Sequence, residues 1–427
     1  MGVVKQAMNA GTVKQILVGL AKKITDIQDA PSPEERQSKL PASLPTIRGG
    51  AIMPQRVAEA CSQALDDITK MTEPEGMWSR LSVDEVVWDF ARSVMDLAPE
   101  QPKDGIRAAI EKASERFRQD PSTWVVDILV YGIHVSCAGL TFGKILFLGE
   151  DMGKADLAVS FPDFPTGAQI FARMETEAID DESALLRAYK ILDEHLMILN
   201  ALCSQEVPSW IQVSRSNITW RSYSACRVGP SSDSMGSIRQ SGHNHKFPLM
   251  GVDLDGLLKD KLGKRISQML AGPATEFSQR LLLGYQFAGA ACVDLHPERS
   301  FLMLAIALES VVLGKENKSE LTYQLASRVA HLIGNGLDGR RLVVKTVSDF
   351  YERRSRIVHA GQYGVSPREM ALLFFYCTTA LALLAVSPAF AGFKTNAELD
   401  VWFKDRMLDG PNHFTPEPPI EAQIPSS

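Results

Sequence analysis

A chain of 427 residues is long enough for two or three domains with sizeable cores. Its 45% hydrophobic and 22% charged residues are those of an ordinary soluble globular protein. The formal charge of -6 excludes a diffuse basic surface, so any nucleic-acid contact must be local.

The N-terminal segment carries Val13, Ile16, Leu17, Leu20, Ile24 and Ile27 at helical spacing with lysines between them. It reads as an amphipathic helix over 1–28 that docks on its own chain or on a partner, with neither a signal peptide nor a membrane anchor expected. Residues 29–50 are rich in Pro, Ser and charge and read as a linker. The six cysteines, Cys61, Cys137, Cys203, Cys226, Cys292 and Cys377, are scattered without a CxxC pair. That is the pattern of a reduced cytoplasmic protein with no disulfide framework and no structural zinc.

The expected fold class is α+β. Residues 51–270 form an α/β region with a small mixed sheet, regulatory or sensing in role. From 51 to about 118 the periodicity is helical, and Ser82 to Glu85 reads as a capping box opening a helix. Beyond Asp120 the stretches "WVVDILVYGIHVS" and "LTFGKILFL" are β-branched and aromatic, which predicts paired strands. "QIFARMETEAI" reads as a third strand, 181–203 as a helix, and "SWIQVSRSNITWRSY" as a fourth strand. The stretch from Val228 to Pro248 reads as a surface loop, and its His243 and His245 lack the companions that would complete a metal site. His195 and His331 lie among polar neighbours and are expected at the surface.

After Thr275 the pattern is entirely helical, with helices expected near 275–293, 299–313, 319–333, 339–359 and 366–387. Ser366, Pro367 and Glu369 mark a clear start: cap, first-turn proline and third-position acid. Short glycine-containing connections imply an antiparallel helical bundle over 275–393. The apolar run Ala371 to Val386 is too short for the roughly 20 residues a bilayer demands. A C-terminal helix and a disordered tail are expected over 394–427. No nucleotide-binding glycine motif, tryptophan stacking platform or cofactor is indicated.

Val343, Val347, Phe350, Arg354 and Ile357 recur at spacings of four and three, so Arg354 sits on a core-facing stripe. A core-facing arginine needs a partner. Glu309, the only charge within "SFLMLAIALESVVLG", is the expected one. The plainest reading is a structural ion pair, with His359 merely favoured by the helix dipole and Gly361 closing the helix. Arg340 to Arg368 nevertheless holds seven Lys/Arg against Asp349 and Glu352, a surplus of five. Arginine's planar fork suits phosphate, and a histidine can pass a proton at neutral pH. Together they suffice to cut RNA without metal. Residues five apart stand about 140° apart on an ideal helix, which separates Arg354 from His359. Arg356 is closer to His359 in angle.

The blocks "ALESVVLG", "ELTYQLASRVAHLIG" and "FYERRSRIVHAG" together resemble the Apea-like branch of the HEPN superfamily over about 275–390. The diagnostic Arg-x4-His motif falls on Arg354 and His359. Ser355 stands where the family more often has Asn, Asp or His, and Ala360 where Gly often follows. The resemblance implies a helical bundle, a homodimer with two motifs facing across a shared cleft, and metal-independent endoribonuclease activity in phage defence or toxin-like systems. It makes Arg354 and His359 catalytic and Ser355 the polar neighbour of the arginine. Arg353, Arg356, Tyr351 and Glu309 are supporting or phosphate-binding candidates. RNA is the expected partner, no membrane is expected, and a protein trigger or inhibitor would act on the N-terminal region. The alternatives are a non-catalytic module binding RNA or a protein, and a bundle serving only dimerisation.

Overall fold

The computed structural model describes residues 10–28, 55–72, 80–97, 102–117, 120–131, 133–149, 169–203, 220–227, 239–242, 252–294, 296–313, 321–361 and 364–408. The expected linker at 29–50, the pair His243 and His245, and the tail beyond 408 lie outside them. The fold is α+β, as the sequence led us to expect. The chain divides into two compact units. One comprises Met1–Val126, Glu175–Tyr189 and Ser224–Ser237; the other comprises Asp127–Met174, Lys190–Tyr223 and Ile238–Ser427.

In the first unit, α1 (Ala10–Gln28) buries Val13, Leu17, Leu20, Ala21 and Ile24 along one face. That face packs on α2 (Gln55–Thr72), α3 (Arg80–Met95) and α4 (Pro102–Arg116), enclosing a shared core with Val57, Ile68, Val87 and Phe90. Of the two covers expected for the amphipathic helix over 1–28, its own chain or a partner, the common core provides the first, and α1 shares one helical bundle with the residues that follow the linker. α3 starts at Arg80, so Ser82 lies within its first turn and not at its cap.

The sheet runs in the order β3-β4-β5-β1-β6-β7, formed by β1 (Ser122–Tyr131), β3 (Gly139–Phe142), β4 (Ile145–Leu148), β5 (Gln169–Ala178), β6 (Trp220–Arg227) and β7 (Arg239–Gly242). β3 and β4 are joined through Gly143 and Lys144 as a tight antiparallel hairpin. "LTFGKILFL" therefore folds on itself instead of pairing as one strand with 122–131, whose neighbours are β5 and β6. β7 places a short strand within the stretch expected to be a loop; the backbone pairing with β6 decides it, through Trp220–Gly242 to Tyr223–Arg239. β2 (Ile133–His134) pairs in parallel with β8 (Val252–Asp253) as a separate two-stranded ladder. α5 (Asp181–Cys203), α6 (Leu254–Lys259) and α7 (Lys261–Ala271) complete this region.

The C-terminal helices are α8 (Glu276–Val293), α9 (Pro297–Val312), α10 (Leu321–Ile333), α11 (Gly336–Ala360), α12 (Pro367–Val386) and α13 (Asn396–Leu408). Thr275 and Ser366 close reciprocal capping boxes with Ser278 and Glu369. The rings of Phe301, Phe350 and Tyr376 meet edge to face at 6.1 and 5.9 Å, tying α9, α11 and α12 together. α13 packs back on α8 and α10, burying Leu399 and Phe403, so it belongs to the bundle. Gly289 of α8 meets α5 so closely that a Cβ there would lie 1.6 Å from the Met197 carbonyl oxygen. α12 counts 20 residues from its proline and is long and apolar enough to cross a bilayer by length and composition, contrary to the shorter run counted from Ala371. Its buried residues, among them Leu373, Cys377, Leu381 and Leu384, belong to the core it shares with α8, α9 and α10.

Candidate phosphate-binding site at the end of α11

α11 continues for 25 residues and ends at Gly361, whose φ of 60° is the left-handed conformation that closes a helix. Val343, Val347 and Phe350 are buried, so the spacing read from sequence correctly picks out the inward stripe. One turn beyond Phe350, Arg354 extends that stripe. Its Nε stands 3.1 Å from Glu309 Oε1 on α9, with 27% and 21% of the two side chains exposed. The expected pair forms. The Arg354 guanidinium also lies 5.4 Å from the centre of the Tyr351 ring, within cation–π range.

Burial raises the Glu309 carboxyl above its ordinary range, and the opposing pull of Arg354 does not cancel it. The Tyr351 hydroxyl is raised as well, first by burial and then by Glu309. At the Glu309 carboxyl, desolvation thus outweighs the attraction of Arg354.

Arg353 is engaged too. Its Nε is 3.5 Å from Glu369 Oε1, and its Nη2 donates to the Gly364 carbonyl. The Gly364 N–H in turn donates to Glu298 Oε1 at 2.9 Å. Hydrogen bonds from Ser366 hold Glu369 low, and the bond from Gly364 does the same for Glu298. Gly364, just beyond the end of α11, is therefore tied to α9 through Glu298 and to α11 through Arg353, which also pairs with Glu369 of α12.

Ser355, Arg356 and His359 are exposed. The predicted residues sort into three sets. Glu309, Arg354 and Tyr351 come together at the bundle edge, Arg353 joins the turn after the helix, and Ser355, Arg356 and His359 face solvent. Arg354 points inward at Glu309, and its offset of about 140° on the helix separates it from His359.

Some charged residues escaped the sequence reading. Arg328 on α10 is buried, donates to the Val312 carbonyl at 2.9 Å and contacts Asp400 at 2.5 Å. Arg280 donates to the carbonyls of Ser310 and Leu313, so two arginines satisfy the C-terminal end of α9. A lone charge in the apolar run "LASRVAHLIG" was the available signal for Arg328. Arg173 grips Asp127 with two hydrogen bonds of 2.8 and 2.9 Å across the sheet. His195, expected at the surface, is buried: its Nδ1 is 2.7 Å from the Ile191 carbonyl and its Nε2 accepts from the Lys144 N–H at 3.3 Å. His331 is half-buried. Among the described residues, no three His, Cys, Asp or Glu side chains converge as metal ligands.

No family model, curated protein or solved structure matches this chain. The functional reading is therefore carried by the residues themselves.

Proposed function

We propose that the C-terminal bundle is a metal-independent endoribonuclease of the HEPN type, acting in the cytoplasm in phage defence or as a toxin-like effector. The observation that supports it most is the division of charge at the end of α11. Carboxylates engage Arg353 and Arg354, while Arg356 and His359 stay exposed beside them. In the proposed reaction His359 accepts the proton of the RNA 2′-hydroxyl, whose oxygen attacks the adjacent phosphorus. The P–O5′ bond breaks, the 5′-oxygen leaves with a proton supplied by the site, and a 2′,3′-cyclic phosphate remains. An arginine offsets the charge that develops on the non-bridging oxygens; the family resemblance gives this role to Arg354. Two copies of the bundle would complete the cleft as a homodimer, with no cofactor. The N-terminal unit would receive a trigger or inhibitor.

A second reading is a non-catalytic module that binds RNA or a protein through the same basic end. The inward pairing of Arg354 with Glu309 favours it, because that arginine already has a partner. The two readings separate on a gel. Purified protein incubated with total RNA and tRNA in EDTA should cut RNA and spare DNA, and His359→Ala should abolish cutting. Binding without cutting would select the module.

A further inference from the structure

At the opposite end of α11 from His359, the turn through Gly334, Asn335 and Gly336 sets the end of α10 against the start of α11. The approach is tight: a Cβ at Gly334 would lie 2.9 Å from both Cα and Cγ of Arg340. α13 packs on α10 as well. Basic side chains from all three helices, His331, Arg340 and Arg406, act on one another here. His331 Nδ1 and Arg340 Nε are shielded from solvent and have no hydrogen-bond partner among the described residues. Buried polar atoms ordinarily find one, and each exception asks for a reason. The Arg406 guanidinium stands over the Trp402 ring, 5.3 Å from its centre. We infer that this cluster is a binding site for the dianion of a phosphate monoester. It is separate from the basic end at His359, and the inference stands apart from the ribonuclease reading.

The surrounding charges fix the sign of the ligand. Burial first, and then the positive charge of Arg340 and Arg406, holds the His331 imidazole below its ordinary range. Carboxylates on the helices packed against α10 are engaged elsewhere. On α11, Asp338 pairs with Arg341; on α13, Asp400 pairs with Arg328 and Glu398 caps Thr395, while Lys404 and Asp405 are exposed. On α9, Glu298 accepts from Gly364, Arg299 holds Asp294, and Glu309 pairs with Arg354. α12 carries no charge after Glu369. The N-cap of α11, Asn335, makes no side-chain hydrogen bond, so the first-turn N–H groups add to the positive field. Two guanidinium forks match the paired charge and the three oxygens of a terminal phosphate. A single-charged phosphodiester, flanked by carbon on both sides, fits shielded nitrogens less well. The bound dianion would reverse the field at His331, which then takes up a proton and donates from Nδ1.

The test is calorimetric titration of the full chain with inorganic phosphate, inorganic sulfate, adenosine 5′-monophosphate and adenosine at constant ionic strength. The three anions should bind and adenosine should not. Sulfate keeps its charge between pH 8 and pH 6, so its binding should tighten over that fall only as His331 takes up a proton. His331→Gln should remove this pH dependence. Arg340→Gln and Arg406→Gln should each weaken phosphate binding on the order of tenfold, the loss of one charge-assisted contact. Arg340→Lys should recover part of it, and Arg341→Gln, outside the cluster, should stay within about twofold of wild type. Melting temperature in chloride should hold or rise in Arg340→Gln, because like charges are relieved. Equal binding of adenosine 5′-monophosphate and a 5′-phosphorylated RNA trinucleotide would support the site with a small ester as its ligand. Tighter binding of the phosphorylated trinucleotide alone would support it with a nucleic-acid end. Wild-type protein that binds none of the anions overturns the proposal, as does an unphosphorylated trinucleotide that binds equally well. Arg340→Gln that melts earlier with unchanged phosphate affinity makes the cluster structural and overturns it too.

Discussion

At the scale of single residues, the Arg354–Glu309 pair was legible because each charge interrupts an apolar pattern, and two lone charges in one bundle meet most simply. The same logic applied to Arg328 and would have exposed its buried place. His195 carried no such mark. Its sequence neighbours Asp193 and Glu194 are polar, and its ring partner comes from the hairpin at Gly143 and Lys144, some fifty positions away. Burial lowers the His195 imidazole to about 4. The unfolded chain, with an ordinary value near 6.5, binds this proton first as pH falls. Stability from His195 is thus complete above about pH 6.5 and is lost progressively toward pH 4. The loss is on the order of 3 kcal/mol for this group. Urea unfolding from pH 7 to 4.5 should show it, and His195→Gln should flatten that dependence; an equal slope in both would place the acid sensitivity elsewhere. Glu309→Ala should cost about 2 kcal/mol, between the values for exposed and buried pairs, because Arg354 loses its counterion. His359→Ala should change stability far less in the same denaturant series. Equal small effects would mean the pair contributes nothing to the fold.

At the scale of elements, the C-terminal helices were legible to within a few residues, since capping boxes and apolar periodicity agree at Thr275 and Ser366. The sheet was less so. β-branched runs announce strands, yet they do not say which strand pairs with which. The two-residue turn at Gly143 and Lys144 converts one expected strand into a hairpin. Close packing was also invisible beforehand. Gly289 lies in an apolar helix where alanine looks acceptable, but a Cβ there would collide with the Met197 backbone of α5. Backbone cannot yield as a flexible side chain can. Gly289→Ala should therefore destabilise by about 3 kcal/mol or more, whereas Gly392→Ala, with open space around it, should be nearly neutral. Thermal melting of the two variants decides the point. An unchanged melting temperature for Gly289→Ala would mean that α5 and α8 are not packed this tightly.

At the scale of the whole molecule, a net charge of -6 confines basic surface to local patches, and in the proposed reading RNA meets the end of α11, where the carboxylates of α9 and α12 engage Arg353 and Arg354. The sequence could name that end but not which arginines were already occupied, because their partners come from distant helices. Leu372 and Phe375 remain exposed on α12, a surface in keeping with the homodimer we propose. Light scattering at micromolar concentration should give twice the chain mass of 46.9 kDa. A monomer that cuts RNA at an unchanged specific rate on dilution would rule out a shared cleft. In the proposed mechanism the nucleophile is the RNA's own 2′-hydroxyl, with His359 moving its proton. Mass spectrometry of the products formed in EDTA tests it most directly. The products should carry 2′,3′-cyclic phosphate and 5′-hydroxyl ends, His359→Ala should give none, and a site given a single 2′-deoxy substitution should not be cut. Products with 5′-phosphate ends, or cleavage that persists at the deoxy site, would contradict it.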